Sequence, residues 1–210
     1  MQESSGEARA PSPSESWQTI HSTMEAARSS MYLAGTTTII LLWGAIASLG
    51  FLSQHAIATL APEFAADRPW FPGPLWVALA AVGTIASAII GHRAGRDSAI
   101  GGAMRSAGIR VFLFWLAVLA AAFAIPAAAG LWNADGAERI PGVTIGIVAL
   151  GHVLFGIMVR PAIAVVGVGL AAAYYIPNSL AGDAAPVVTA VALLMLVTVS
   201  AVWLRRSGAL

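Results

Sequence analysis

The side chains of this sequence that are best placed for chemistry are one histidine and a few threonines in apolar surroundings. His152 lies in the glycine-rich stretch GVTIGIVALGHVLFGIMVRP, Gly142–Pro161, eight residues before Arg160 or about 12 Å at 1.5 Å per helical residue. The same calculation puts four threonines of three other helices roughly 8 to 11 Å from the same membrane face: Thr37, Thr38, Thr84 and Thr198. Polar groups in hydrocarbon are costly unless they are paired, so an imidazole and hydroxyls at one depth predict a hydrogen-bonded cluster.

Two interpretations of this predicted cluster are open. In the first, each threonine hydroxyl bonds a carbonyl of its own helix, and His152 is a neutral histidine satisfied by one neighbour. In the second, His152 is a proton-linked or ligand-contacting group in a cavity that is open to the cytoplasm. Replacement of His152 by leucine separates them, because only the second interpretation predicts loss of a pH-dependent activity while the fold is retained.

Other chemistries have little support in the sequence. Cysteine is absent, which excludes disulfides and thiolate sites. The four histidines fall in different regions without the spacing of metal ligands: His21, His55, His92 and His152. There is no glycine-rich phosphate loop and no serine nucleophile elbow. We therefore expect no catalytic residues, no metal, no cofactor and no nucleic-acid partner.

Composition places the chain in the class of integral membrane proteins. Hydrophobic residues make up 58% of 210 and charged residues only 10%, whereas soluble domains carry about a quarter charged residues. The apolar runs predict an all-α, polytopic fold with six transmembrane helices arranged as three hairpins in a domain over residues 31–206. The predicted spans are Met31–Leu52, Leu75–Ile90, Val111–Leu131, Val143–Val159, Ala162–Ile176 and Ala185–Leu204. The second, fourth and fifth spans are short, and we expect them to sit upright or to thin the bilayer.

The segments outside this domain are short. Residues 1–13 are rich in Ser, Glu, Pro and Ala and predict a disordered cytoplasmic tail. Residues 14–30 predict an amphipathic helix at the membrane surface, capped by Ser14 or Ser16. The alternative for this segment is a solvated lead-in to the first span. Residues 207–210 form a C-terminal tail.

Charge predicts the orientation of the six spans. All 11 basic residues are arginine, and with cytoplasmic termini only Arg68 and Arg139 are external. The other nine are cytoplasmic: Arg9, Arg28, Arg93, Arg96, Arg105, Arg110, Arg160, Arg205 and Arg206. Five aromatic residues lie where interface anchors are expected at the external side: Trp70, Trp76, Trp132, Tyr174 and Tyr175. Arginine without lysine and the high alanine content suggest a GC-rich bacterial genome, and we expect a protein of the bacterial inner membrane.

Two sets of residues predict contacts of the bundle. Small residues along the fourth span allow another helix to approach closely: Gly142, Gly146, Ala149 and Gly156. The cytoplasmic segment between the second and third spans carries arginines that predict contact with anionic lipid, or alternatively only set the topology: Arg93, Arg96, Arg105 and Arg110. Pro161 predicts a tight turn with antiparallel fourth and fifth spans, and Pro126 is expected to bend the third span and free a carbonyl.

Three stretches carry a resemblance: AGTTTIILLWGAIASLGFL, LWVALAAVGTIASAIIGHR and GHVLFGIMVRPAIAVVGVGLAAAYYI. With the amphipathic lead-in and the Trp-containing third span, they resemble a group of uncharacterised bacterial multi-span membrane proteins. Those proteins share a Trp-Gly in the first span and a Gly-x-x-x-x-Gly-Ile element ending in a basic residue in the fourth. The resemblance covers about three quarters of the chain; it implies a six-helix topology and carries no activity.

The favoured function is a non-enzymatic accessory or regulatory membrane component, which binds another membrane protein or lipid through its small-residue helix faces. The alternative is a small oligomeric transporter or channel that uses the layer of His152 and threonines. An intramembrane enzyme ranks third, because the spans contain neither paired acids nor a nucleophile with a base. Lipid and a second membrane protein, or a second copy of the chain, are thus the expected partners.

Overall fold

The computed structural model describes residues 12–21, 35–97, 102–133 and 136–206, and only the backbone of 36, 94–97, 102–107 and 204–206. These ranges are helical and contain no strand, so the all-α prediction is confirmed for them. The α-helices are α1 (residues 13–21), α2 (Thr36–Leu60), α3 (Pro62–Asp67), α4 (Pro72–Asp97), α5 (Gly102–Ala128), α6 (Ile140–Val159), α7 (Pro161–Leu180) and α8 (Ala185–Arg206). Single 3₁₀ turns at Ala137–Arg139 and Gly182–Ala184 lead into α6 and α8.

Within the described ranges six helices are long and apolar enough to cross a membrane, which confirms the predicted number: α2, α4, α5, α6, α7 and α8. Their bounds correct the prediction, because α2 runs on to Leu60 and not Leu52, and α4 has 26 residues. The second, fourth and fifth spans are therefore not short. Hydropathy marks only the apolar part of a helix, whereas backbone hydrogen bonds continue until the geometry changes, as at Ala61 before Pro62.

The first helix begins earlier than predicted. Ser12, and neither Ser14 nor Ser16, precedes α1: its Oγ accepts a 3.2 Å bond from the Glu15 N–H, and its own N–H donates to the Glu15 carboxylate at 2.7 Å. This is a capping box with Pro13 in the first helical position. The bonds from Ser12 lower the pKa of Glu15. Residues 1–11, 22–34 and 207–210 lie outside the described ranges, so the predicted tails and the rest of the surface helix stay predictions.

The spanning helices pack on one another in chain order, and the last packs on the first. Gly44 of α2 faces Val197 of α8, and Ser48 reaches Ala190, so these two helices run antiparallel. The most extensive contacts are between α6 and α7 and between α2 and α8. Among spanning helices that are consecutive in the chain, α4 and α5 have the least contact. We call the end with residues 61–71, 129–133, 136–139 and 181–184 the α3 end, and the opposite one the Arg160 end.

The interior near the α3 end is filled by aromatic and aliphatic side chains. Phe51, Ile145, Tyr174 and Leu193 form one buried cluster, and Trp76 packs against it. The Trp76 and Tyr174 rings lie 5.3 and 5.8 Å from that of Phe51. These two aromatics therefore pack inside the bundle, while Trp70, Trp132 and Tyr175 are exposed. Trp76 can pack inside because Gly50 has no side chain: the Trp76 indole occupies the space that a Cβ at position 50 would need.

Candidate functional site

His152 lies on α6 between two neighbouring helices. Its Nδ1 is 2.9 Å from the Val148 carbonyl oxygen, one turn earlier in α6. On one side the Trp115 ring of α5 is 4.5 Å from the imidazole, and on the other Gly167 of α7 approaches so closely that a Cβ there would lie 2.8 Å from the His152 Cβ. We call His152, Trp115 and Gly167 the His152 site.

The hydrogen bond of His152 fixes what this side chain can do. A carbonyl oxygen only accepts, so Nδ1 carries the proton and Nε2 of the neutral ring keeps a lone pair. The ring can therefore accept one further hydrogen bond or a proton, and its face is covered by Trp115. No group of three metal-ligating side chains occurs in the described ranges. The geometry offers a single acceptor and no nucleophile beside it.

The structure does not join the predicted threonines and His152 into one hydrogen-bonded cluster. Thr84 donates to the Ala80 carbonyl at 2.8 Å and Thr198 to the Leu194 carbonyl at 2.7 Å, each within its own helix. Thr38 and Thr198 are exposed on the outside of the bundle. Thr37 is buried, and its hydroxyl has no hydrogen-bond partner in the part of the chain that the structure describes. Thr84 and Thr198 thus bond as the first interpretation predicts and Thr37 does not, and the role of His152 stays a prediction.

The four small residues of α6 that the sequence singles out, Gly142, Gly146, Ala149 and Gly156, face α7. The Tyr175 hydroxyl donates to the Gly142 carbonyl at 2.7 Å, and a Cβ on Gly146 would lie 2.8 Å from the same hydroxyl oxygen. Closer to the Arg160 end, the carbonyl of Ala149 lies against Gly167, and Gly156 lies against the backbone of Ala164. These residues thus bring two helices of the same chain together.

The structure describes the side chains of two of the four arginines that are predicted to contact lipid. Arg93 near the end of α4 and Arg110 in the first half of α5 are exposed. The side chains of Arg96 and Arg105 lie outside the described part of the structure. The contact with anionic lipid stays a prediction.

Sequence reasoning missed the polar groups that do connect the helices. In the part of the chain that the structure describes, side-chain hydrogen bonds join five pairs of spanning helices: Trp43 to Ser87 (α2–α4, 3.0 Å), Ser48 to the Ala190 carbonyl (α2–α8, 2.8 Å), Asn178 to Thr189 (α7–α8, 3.1 Å), Tyr175 to the Gly142 carbonyl (α6–α7, 2.7 Å) and Thr144 to the Ala122 carbonyl (α5–α6, 3.1 Å). Two signals were present in the sequence: a lone polar residue among small ones, such as Ser48 four residues after Gly44, and Pro126, which was expected to free a carbonyl.

Comparison with known proteins gives no guide to the site. No protein-family model, no curated protein and no solved structure matches this chain. The resemblance to bacterial multi-span proteins stays a prediction, and any function has to be argued from the geometry of the six helices.

Proposed function

We propose that this membrane protein is a non-enzymatic accessory or regulatory component, which binds another membrane protein through α4 and α5. The observation that carries the proposal is the type of residue that these helices expose. Along α5, exposed alanines recur at helical spacing: Ala117, Ala120, Ala124 and Ala127. Small residues let a second helix approach closely and are typical of helix–helix contacts in membranes.

The exposed faces of α6, α7 and α8 differ, whereas α2 also exposes two alanines, Ala45 and Ala58. In α6, α7 and α8 no exposed residue of the described part is alanine, and the exposed apolar side chains are large. Leu150, Leu154 and Ile157 on α6 and Val191 and Leu194 on α8 are examples. Large aliphatic side chains suit contact with lipid, so the alanines of α5 mark a different environment.

Burial supports the same choice of helices. In the 18-residue apolar stretch of each span, only 6% is buried in α4 and 11% in α5. In each of the other four spans at least 28% of this stretch is buried. Like α5, α4 exposes alanines, namely Ala78, Ala81 and Ala88. Two spans with so little internal packing leave a broad surface on which a partner helix can pack.

The small-residue face of α6 no longer serves as the partner surface. Gly156 and Ala149 are covered by α7 of the same chain. The proposal therefore keeps the favoured function from the sequence and moves its binding surface to α4 and α5. The transporter alternative needs polar groups of several helices around a shared space, and the outward position of Thr38 and Thr198 does not favour it.

Photo-crosslinking in native membranes tests this proposal. A photoreactive amino acid replaces Ala120, eight residues before the last residue of α5, or Leu194 as the control, nine residues after the first of α8. Both positions are exposed and lie at nearly the same depth from the α3 end. We expect a discrete protein adduct from position 120 and only lipid adducts from position 194. An adduct of twice the chain mass identifies a second copy as the partner, and lipid adducts alone from both positions contradict the proposal.

A further inference from the structure

A cavity of about 190 Å³ lies at the α3 end, between the last turns of α2, helix α3 and the start of α4. Most of its wall is apolar, with Ile57, Phe64 and Leu75 among the residues that line it. Two polar side chains also line it, Gln54 and Arg68. The cavity is smaller than the roughly 300 to 1,000 Å³ of sites for drug-sized ligands, so it suits part of a chain-like molecule.

Arg68 is the one charged residue that lines this cavity. Its guanidinium carbon lies 4.7 Å from the centre of the Phe64 ring, a cation–π contact that holds the charge beside the apolar wall. Within the described ranges no carboxylate pairs with it, and neither Glu63 nor Asp67 of α3 lines the cavity. The cavity therefore combines an apolar interior with one positive charge that is free to bind an anion.

The depth of the cavity corresponds to the boundary between hydrocarbon and head groups. Leu75 is three residues from the start of α4, and Gln54 is six residues, or about 9 Å, from the end of α2 at Leu60. Trp70, next to the lining residues Pro69 and Phe71, is exposed, as interfacial tryptophans are. A molecule bound here has one part in each environment.

We propose that this cavity binds one phospholipid, with its phosphate on Arg68 and the first part of one acyl chain between α2 and α4. A guanidinium matches the geometry of a phosphate through two parallel N–H donors. The methylene groups of the acyl chain then pack against the apolar wall of the cavity instead of against other lipids. The proposal is independent of the partner surface on α4 and α5, because the residues of the cavity lie at the α3 end and none of them is one of the exposed alanines of that surface.

Photo-labelling of the full chain in detergent micelles tests the site. The probe is a phospholipid with a diazirine in its acyl chain, and mass spectrometry of the digested protein locates the adducts. We expect adducts on cavity residues such as Phe64 and Leu75. Arg68→Gln should lower their yield about fivefold, the contribution of one basic residue at a lipid surface. Ala65→Phe, which fills the cavity and keeps the charge, should abolish them.

Arg139→Gln is the matched control, because Arg139 is exposed at the same end and does not line the cavity. Its adduct yield should equal that of the unchanged protein. Excess unlabelled phospholipid should compete with the probe, and glycerol 3-phosphate should not. Equal labelling of the Arg68→Gln and unchanged proteins would overturn the proposal. So would equal competition by glycerol 3-phosphate, which would assign the site to a soluble phosphate ester.

Discussion

At the scale of single residues, the clearest relation between sequence and packing is at Pro126. Proline has no N–H, so the Ala122 carbonyl four residues earlier has no partner within α5. Thr144 of α6 donates its hydroxyl to this oxygen at 3.1 Å. The carbonyl that Pro126 leaves without a partner in α5 thus accepts a hydrogen bond from a hydroxyl of α6, as is usual for prolines in transmembrane helices.

Thr144→Val should destabilise the protein, because it leaves the Ala122 carbonyl without a donor in apolar surroundings. We expect the free energy of unfolding to fall by about 1 kcal/mol, the size of an interhelical hydrogen bond in a membrane protein. Thr198→Val is the matched control, since Thr198 is exposed and bonds a carbonyl of its own helix. Equilibrium unfolding in detergent measures both variants. Equal losses for the two would contradict a role of Thr144 in joining α5 to α6.

At the scale of the helices, hydropathy predicted how many there are and how deep each residue lies, but not which way a side chain faces. Thr37 and Thr38 have nearly the same depth, yet Thr37 is buried and Thr38 exposed, because adjacent helical residues point about 100° apart. How far each helix is rotated about its own axis depends on the steric fit between neighbouring helices, such as that of Gly44 against Val197. Sequence reasoning therefore placed the threonines at one depth and could not predict which of them faces the interior of the bundle.

Gly156→Ala should separate α6 from α7. A Cβ at this position would meet the backbone of Ala164, which cannot move aside as a flexible side chain does. We expect a loss of about 1–3 kcal/mol in the free energy of unfolding, the usual cost of overpacking. Gly91→Ala is the control: a Cβ there meets nothing within 4 Å, and alanine is the better helix former by about 0.5–1 kcal/mol. The midpoint of thermal unfolding should fall for Gly156→Ala and rise for Gly91→Ala. A shift of both midpoints in the same direction would contradict the close approach of the helices at Gly156.

At the scale of the whole molecule, the hydrogen bonds between helices form a series with two ends. Each contact in the order α4, α2, α8, α7, α6 and α5 carries one side-chain hydrogen bond, and in the described ranges none joins α4 to α5. The end members of the series are also the two least buried spans. The two helices that contribute least to internal packing, α4 and α5, also expose alanines, so a partner surface on them agrees with the architecture.

The charges at the two ends of the bundle predict its orientation in the membrane. Glu138 and Asp183 are exposed at the α3 end, and Arg93 is exposed at the Arg160 end, where arginines concentrate. Because arginine-rich ends stay in the cytoplasm, the α3 end should face outwards. The chain has no cysteine, so a single introduced one is the only thiol. Glu138→Cys and Asp183→Cys should react with a membrane-impermeant maleimide in intact cells, and Arg93→Cys only after permeabilisation, when all three should react equally. The reverse pattern would place the α3 end, and with it the cavity beside Arg68, in the cytoplasm.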